Sequence, residues 1–331
     1  MSTPALTVTG LRAYYQTYSF GIDRNVRAVD DVTFQVGVNE IYGLAGESSC
    51  GKTTLIKTIA AAIRPPLRVL DGSVVFNFSG RAVDIYETGQ EEIDGLRWRH
   101  LSYIMQGSMN VLNPVRRVKD AFVDFAFRHI GRSMAEFTRI VVDHLRRLHL
   151  EPAVLDAYPH QLSGGMRQRV AIALATVCRP EFIIADEPTT ALDVIVQKGV
   201  LAMIREVQQE IGSSLIFVTH DLSVHAHLCH RLGVMYAGRL VEEGPTAELF
   251  ADPLHPYTIH LIASLPRIGD VEPKQGLEGA PPSLADPPEG CRFHPRCPLA
   301  MEVCRRHVPP MVAVRPGRRV ACFAAAPGSI P

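Results

Sequence analysis

The sequence predicts an α/β fold, and three observations lead to that prediction. A glycine-rich segment at 46–53 separates an apolar run typical of a buried strand from one typical of a helix. Short apolar runs alternate with helical patterns again over 171–245, as in a parallel sheet covered by helices. Between these regions, apolar residues over 134–148 recur at the spacing of an amphipathic helix. We therefore expect a helical insertion, at about 107–170, within an α/β protein.

Composition limits the classes of protein that need to be considered. The chain has 331 residues, of which 47% are apolar, enough for a full core in two or three structural units. Its 34 basic residues balance 34 acidic ones, so no net field favours nucleic acid or anionic lipid as the main partner. The sequence shows no signal-peptide pattern and no apolar run near the roughly 18 residues of a membrane span. We expect a cytoplasmic chain that meets a membrane only through partners.

The first 36 residues predict antiparallel strands. Apolar and polar residues alternate at Leu6, Val8 and Leu11 and again at 32–36, which indicates strands with one buried face. An aromatic-rich segment, 13–20, separates the two patterns. Tyr15, with Tyr14 as a near-equal candidate, could stack on a purine ring; packing of strand aromatics on the core is the alternative.

The glycine-rich segment is a phosphate-binding loop by its sequence. It fits G-x-x-x-x-G-K-[ST] and stands between the strand and the helix that this motif requires. The N–H groups at a helix start lack partners and attract anions, and Gly46 and Gly51 let the backbone curl around phosphate. Lys52 would contact the β- and γ-phosphates and Thr53 would contact Mg²⁺. The expected nucleotide-binding residues here are Gly46, Glu47, Ser48, Ser49, Cys50, Gly51, Lys52, Thr53 and Thr54.

Four further elements follow the loop in a fixed order. Gln106 ends a strand-like run and could reach Mg²⁺ or its water. Ser163, Gly164 and Gly165 precede an apolar helix and form a second anion site. Asp186 ends a buried run, where it could enter the Mg²⁺ shell, and Glu187 could deprotonate the attacking water. His220 ends the next strand, so we expect it at the same sheet edge as Glu187.

Taken together, these motifs resemble the nucleotide-binding subunit of an ABC transporter, over about residues 5–250. The matching motifs are Gly46–Thr53, Gln106, Leu162–Met166, Asp186–Glu187, Ala191–Asp193 and His220. The resemblance implies a P-loop NTPase core of the RecA-like type, with an antiparallel β subdomain and a helical subdomain. It makes Tyr15 the adenine-stacking aromatic, Glu187 the general base, His220 the γ-phosphate switch and Asp193 the contact across a dimer. It also implies that two subunits close head to tail, so that Ser163 and Gly165 meet the ATP of the partner.

A narrower resemblance points to the oligopeptide/dipeptide importer branch. It rests on Leu162–Arg169, Asp186–Asp193, Asp252–Thr258 and the cysteine-bearing tail. It implies a second, often non-identical ATPase subunit, two permease subunits and an extracytoplasmic substrate-binding protein, with this chain on the cytoplasmic face of the membrane. Ser49 replaces the usual glycine, and the segment Met105–Pro114 departs from the commonest pattern. Oligosaccharide or nickel import therefore stays open as an alternative to peptide import.

The tail, 251–331, has a different composition. Fifteen of the 24 prolines lie there, so we expect an irregular extension without long helices or central strands. Cys291, Cys297, Cys304 and Cys322 are clustered without C-x₂-C spacing. Four thiolates could hold zinc or an iron–sulfur cluster, and the spacing suits the bulkier cluster. The branch resemblance implies a [4Fe–4S] cluster, while His294 and His307 are alternative ligands or solvated loop residues.

Two other classes of protein fit the motifs less well. A soluble ABC ATPase of DNA repair would carry long coiled coils between the phosphate loop and Ser163, and the chain shows no sustained heptads there. A translation-type ATPase would usually carry two cassettes. A regulatory subunit with an inactive site is disfavoured by the intact Lys52, Asp186, Glu187 and His220.

Overall fold

The protein is described by a computed structural model over residues 3–19, 21–108, 111–131, 133–190, 192–265 and 277–330. These residues form two compact units. The first comprises 3–5, 37–40 and Phe76–Phe217, and the second comprises Leu6–Val36, Ile41–Val75 and the described residues from Val218 onward. Among the described residues, no helix has the length and apolar character needed to cross a membrane.

The elements alternate between strands and helices along the chain. The strands are β1 Leu6–Ser19, β2 Ile22–Val36, β3 Ile41–Ala45, β4 Leu67–Phe78, β5 Arg81–Asp84, β6 Leu101–Ile104, β7 Phe182–Asp186, β8 Ser214–Val218, β9 Arg231–Tyr236, β10 Arg239–Pro245, β11 Val312–Arg315 and β12 Arg318–Val320. The helices are α1 Lys52–Ile59, α2 Gln90–Leu96, α3 Val118–Ile130, α4 Met134–Arg147, α5 Gly164–Thr176, α6 Val194–Ile211, α7 Leu222–Leu228, α8 Thr246–Ala251, α9 Pro256–Ala263 and α10 Glu302–Arg306. Short 3₁₀ turns lie at Pro152–Asp156, Pro159–Gln161, His294–Arg296 and Pro327–Ser329.

The second unit contains an antiparallel sheet and the sheet that carries the phosphate loop. β1 and β2 pair antiparallel, as the alternating pattern predicts, with Leu6 opposite Val36. Residues 13–19 of the aromatic segment do not separate these strands but belong to β1, in which Tyr15 pairs with Val26. In the other sheet β3 pairs parallel with β9, and β10 returns antiparallel to β9. All five residues of β3 are buried, so the loop that follows starts from a fixed point in the core.

The C-terminal extension is more regular than its proline content suggests. β12 pairs antiparallel with β10 and β11 pairs with β12, so the extension lengthens the sheet. The prolines stand outside these short strands, where no ladder hydrogen bond is lost. Tyr257 and Phe293 join a buried cluster around Tyr236 in the same unit. The extension thus folds onto the core that holds the phosphate loop.

The first unit contains a parallel strand pair and the helices of the predicted insertion. β6 and β7 pair parallel, and β8 follows β7 in the sheet order. α4 buries Phe137, Val141 and Leu145, which confirms its amphipathic pattern. α6 lies within 171–245, where helical patterns are predicted to alternate with short apolar runs. The segment Met105–Pro114 is described only in part, since residues 109–110 lie outside the described ranges.

A buried ion pair anchors the extension within the second unit. The Arg318 guanidinium donates to the Glu242 carboxylate at 2.8 Å, and both side chains are fully buried. Glu242 also accepts from the backbone N–H groups of Leu254 and His255, each at 2.9 Å. One carboxylate therefore holds β10, β12 and the chain entering α9.

We expect Arg318→Met to lower the free energy of unfolding by about 3 kcal/mol, because it leaves the Glu242 carboxylate buried without its cation. Urea denaturation of the purified subunit measures this change. The matched control is Arg315→Met, which removes an exposed arginine whose partner, Asp252, is also exposed; we expect a change within about 1 kcal/mol. Equal effects of the two substitutions would contradict the anchoring role of Arg318.

Candidate nucleotide-binding and catalytic site

The phosphate loop follows β3 and ends in α1, as the motif requires. Gly46 and Gly51 both have positive φ, at +146° and +108°. A Cβ at Gly46 would lie 2.2 Å from the Met235 carbonyl oxygen, and one at Gly51 would lie 2.0 Å from that of Ala28. Any side chain would clash with fixed backbone at either position. The two glycines are thus required by the way the loop packs against β2 and β9.

Ser49 occupies the position where the resembling branch has glycine. Its φ is +64°, in the left-handed region, which costs a residue with a Cβ about 1–2 kcal/mol. Ser48 and Ser49 form the exposed tip of the loop, while Cys50 is buried behind it. Burial raises the pKa of the Cys50 thiol. The departure at Ser49 therefore adds backbone strain without altering the buried part of the loop.

Lys52 is held over the loop by two backbone carbonyl groups. Its ammonium group donates to the carbonyl oxygens of Gly46 at 2.7 Å and Glu47 at 2.9 Å, and the residue is only 5% exposed. Thr53, half-buried, is the next residue of α1. The N–H groups at the start of this helix and a pre-aligned ammonium group form an anion site.

Two tyrosines of β1, Tyr14 and Tyr15, have different hydrogen-bond partners. The Tyr14 hydroxyl donates to Asp30 at 2.6 Å, whereas the Tyr15 hydroxyl lies 3.2 Å from Thr54 Oγ1, in α1. Burial and the bond to Asp30 raise the pKa of Tyr14 to about 12. Of the two candidates for adenine stacking, Tyr15 is the one whose hydroxyl reaches the first turn of α1.

The acidic pair lies in the first unit, at the end of β7. Asp186 is the last residue of this buried strand, and the Tyr103 hydroxyl donates to it at 3.3 Å. Burial, and then the charge of Asp186, raise the pKa of Tyr103. Tyr103 therefore stays protonated and continues to donate.

Glu187 is held by side chains on both sides. Its carboxylate accepts from Gln106 Nε2 at 2.8 Å and from Thr190 Oγ1 at 3.1 Å. Its φ is +48°, an unusual value for a residue with a side chain, of a kind that clusters at functional sites. The structure brings Gln106 to the predicted base. The proposed contact of Gln106 with Mg²⁺ stays a prediction.

The signature serine and Asp193 both cap helices. Ser163 Oγ accepts from Met166 N–H at 3.2 Å at the start of α5, and Asp193 accepts from Ile195 and Val196 N–H at the start of α6. A Cβ at Gly165 would lie 2.8 Å from Val196, so this glycine permits a close approach of α5 and α6. Gly164 is the first residue of α5. Ala191, named with this motif, lies outside the described residues.

His220 belongs to the second unit and lies two residues beyond β8. It is exposed. The next residue, Asp221, caps α7 by accepting from Ser223 N–H at 2.9 Å. The switch role of His220, like the other site roles, stays a prediction.

Sequence reasoning missed the residues that hold these side chains from a distance. Tyr257 and Arg296 both bond to Glu47, from 210 and 249 residues further along the chain. The Asp30 carboxylate accepts hydrogen bonds from Tyr14, Arg239 and Arg292. Burial would raise the pKa of Asp30, but the Tyr14 hydroxyl bond and the two arginine charges outweigh it and lower that pKa. No local pattern in the sequence signals such pairs.

The four tail cysteines surround one small cavity in the second unit. Its wall includes all four thiols together with His294 and Phe293. Burial, and then the charges of the other three cysteines, raise the pKa of Cys291 to about 11. Each sulfur also receives at least one backbone N–H, from Phe293, Leu299, Met301, Ala324 and Ala325.

The convergence of the four cysteines on this cavity does not by itself show a metal site. Within the described ranges, no group of three or more His, Cys, Asp or Glu side chains could hold a metal ion. The cavity shows that the four cysteines converge, as their clustering in the sequence suggests. The iron–sulfur cluster and the zinc alternative both stay predictions.

Two protein families match separate parts of the chain. Residues 29–190 match the family described as ABC transporter, and residues 241–304 match the family described as oligopeptide/dipeptide transporter, C-terminal region. A dimeric ATP-binding cassette solved with ADP and Pi shares the fold, with a TM-score of 0.61 and 23% identity, covering 73% of this chain and 98% of that one.

Two curated relatives match nearly the whole chain. The oligopeptide transport ATP-binding protein of Salmonella typhimurium is 41% identical over 322 residues, covering 96% of this chain and 93% of the relative. The dipeptide transport ATP-binding protein of Caldanaerobacter subterraneus is 38% identical over 320 residues, covering 96% of each.

The fold and the phosphate loop define a P-loop ATPase of the ATP-binding cassette class. The chain belongs to the ABC transporter family, in the branch that carries the oligopeptide/dipeptide C-terminal region. The expected family, branch and ATPase activity are thereby confirmed. ATP and Mg²⁺ are the ligands of such a cassette.

We expect Glu187→Gln to slow ATP hydrolysis in the assembled complex by about 100-fold or more, because the attacking water loses its base. ATP should remain bound, since the substitution leaves the phosphate loop intact. Phosphate release and retained nucleotide measure the two effects. The matched control Glu206→Gln alters an exposed carboxylate on α6 and should leave the rate unchanged. Hydrolysis by Glu187→Gln at the native rate would overturn the assignment.

Proposed function

We propose that this chain is the ATP-hydrolysing motor subunit of a membrane importer for oligopeptides or dipeptides. The observation that carries this proposal is similarity over nearly the full chain to peptide transport ATP-binding proteins, at 41% and 38% identity. The match to the branch-specific C-terminal region supports it. A cassette alone would leave the direction and the cargo of transport open.

In the proposed cycle, the chain's residues bind and orient ATP. The phosphate loop receives the phosphates through its N–H groups and Lys52. Mg²⁺, when bound, would neutralise charge on the phosphates, and the oxygens of Thr53 and Asp186 are ligands that suit it. Glu187, oriented by Gln106 and Thr190, takes the proton of the attacking water. Most of the catalysis is positioning and charge stabilisation, to which Lys52 and His220 contribute.

The proposed machine contains two ATPase subunits. ATP closes them head to tail, so that Ser163 and Gly165 of one subunit meet the ATP held by the other. The exposed Val194 and Ile195, directly after Asp193, support a contact at this position. We propose a non-identical second subunit, as in the resembling branch.

Two permease subunits and an extracytoplasmic binding protein complete the proposal. In the first unit, a groove is lined by apolar and charged side chains, which include Val111, Leu112, Val118 and Phe125 together with Arg116, Arg117 and Asp124. Val111 and Phe125 are 43% and 38% exposed, so a cytoplasmic segment of a permease could bury them. The groove follows Gln106 by a few residues in the chain, so an occupant would bear on the residue that orients Glu187. ATP binding, hydrolysis and permease movement would then be coupled, with the chain on the cytoplasmic face.

The cargo is tested with the reconstituted complex. We expect di- and oligopeptides, added with the cognate binding protein, to raise the ATPase rate several-fold, because cargo delivery favours the closed dimer. Oligosaccharides and nickel serve as matched controls and represent the alternative substrates. Stimulation by nickel or a sugar, without stimulation by peptides, would replace peptide import with one of these. Absence of any ATPase activity would contradict the motor function itself.

We also propose that the four tail cysteines hold a [4Fe–4S] cluster. Their convergence on one cavity and the N–H donors to their sulfurs support this proposal. Two of the four cysteines are buried and two are half-buried. Thiols in such surroundings need a positive centre to exist as thiolates, and such a cluster supplies one. Zinc is the alternative, and the proposed role is structural, to staple the tail.

Cys297→Ser is expected to lower iron and sulfide content and the thermal midpoint of anaerobically purified protein, because the cluster would lose one ligand. The control Cys178→Ala alters a buried cysteine of the first unit and should leave the iron content unchanged. Stoichiometric zinc in the wild type would select the alternative metal. Identical metal content in Cys297→Ser and wild type would contradict the ligand assignment.

A further inference from the structure

The segment between Cys291 and Cys297 reaches the phosphate loop through Arg296. Its guanidinium contacts the Glu47 carboxylate twice, from Nη1 to Oε2 at 2.9 Å and from Nη2 to Oε1 at 3.1 Å. Glu47 is the second residue of the phosphate loop. Such paired contacts are the strongest geometry that arginine and a carboxylate can adopt.

The ion pair between Arg296 and Glu47 is largely shielded from solvent. The Arg296 side chain is 7% exposed and that of Glu47 is 24% exposed. The guanidinium also donates to the Tyr236 hydroxyl at 3.2 Å and to the Glu278 carbonyl at 3.0 Å. Removing one member of a pair this deeply placed leaves the other charge poorly compensated.

The same loop residue is held a second time through its backbone. The Glu47 N–H donates to the Tyr257 hydroxyl at 2.7 Å. Tyr257 packs on Tyr236, with ring centroids 4.6 Å apart. Both the backbone and the side chain of Glu47 are therefore fixed by residues beyond position 235.

A second arginine of the segment supports the neighbouring turn. Arg292 is buried, donates to the Ala237 carbonyl oxygen and pairs with Asp30. The N–H of Gly238 in this turn donates to the Cys50 carbonyl oxygen at 2.8 Å. The segment thus supports the phosphate loop at Glu47 directly and at Cys50 through the turn.

We propose that Arg296 is a positioning residue for ATP binding, which compensates the Glu47 carboxylate beside the triphosphate site. The loop that must accept a polyanion carries its own carboxylate, and that charge would repel the phosphates if it stood alone. Paired with Arg296, it is neutralised and directed toward the C-terminal extension. The proposal rests on ATP binding by this loop and assigns the extension a part in that binding.

The test measures the dissociation constant for ATP with the purified subunit and KM and kcat with the assembled complex. We expect R296Q to raise both the dissociation constant and KM by about tenfold, with kcat changed less than about twofold. The double variant E47Q/R296Q should restore both values to within about threefold of wild type, because no uncompensated carboxylate remains. Urea denaturation of R296Q separates weaker ATP binding from loss of fold: the variant should be folded at the concentrations of the binding assay and still bind ATP about tenfold more weakly. The defect of R296Q should also shrink at high salt, where charges are screened.

The matched control is R305Q, which removes an exposed arginine of α10 whose partner, Glu302, is also exposed. It should bind ATP as the wild type does. If R296Q proves unstable, R296K keeps a positive charge beside Glu47 but loses the paired contacts, so it should weaken ATP binding by clearly less than tenfold. ATP binding by R296Q equal to wild type, or a double variant as weak as R296Q, would overturn the proposal. Failure of the wild type to bind ATP would instead count against the function of the loop.

Discussion

The phosphate loop is so closely enclosed that neither of its glycines has room for a β-carbon. Backbone carbonyls of β2 and β9 approach Gly51 and Gly46 to 2.0 and 2.2 Å of where that carbon would stand. The strands around the loop therefore restrict the conformation that its backbone can adopt. Anything that moves the turn after β9 moves the carbonyl that limits Gly46. The second unit thus acts as a frame for the loop: it holds this turn, β2 and the start of α1 in fixed positions around it.

The C-terminal extension is part of that frame because of its arginines. Arg292, Arg296 and Arg318 are each buried and each meets a carboxylate of the cassette sequence, at Asp30, Glu47 and Glu242. Buried charges are tolerated only when paired. If the extension left the unit, Glu242 would lose its buried cation, and Asp30 and Glu47 would each lose an arginine partner. A proline-rich segment with a thin apolar core is fixed here by directional pairs as well as by Tyr257, Phe293 and Phe323.

Local patterns predicted much of the fold and the position of the phosphate loop between a strand and a helix. β3 is the apolar run before the phosphate loop, and α6 lies where helical patterns alternate with short apolar runs. The strands β11 and β12 could not be predicted, because segments of three or four residues are too short to show a hydrophobic period. They form through pairing of β12 with β10 and of β11 with β12. The pairing of Glu47 with Arg296 could not be predicted from the sequence. The two residues are 249 positions apart, and any arginine of the tail was an equal candidate. Sequence motifs name the groups that react, whereas long-range pairs decide how those groups are held.

Gln106 shows how the two kinds of information combine. The motif order identified it, and a metal contact was the natural expectation for an amide at a strand end. The structure adds that its amide donates to Glu187, which Thr190 also contacts. Glu187 adopts a left-handed backbone conformation, which few residues with side chains tolerate without support from neighbours. Gln106 supplies such support, and it precedes the groove of the first unit by only a few residues. Displacement of this segment would break the hydrogen bond from Gln106 to Glu187, so the amide links the groove to the side chain that we propose as the general base.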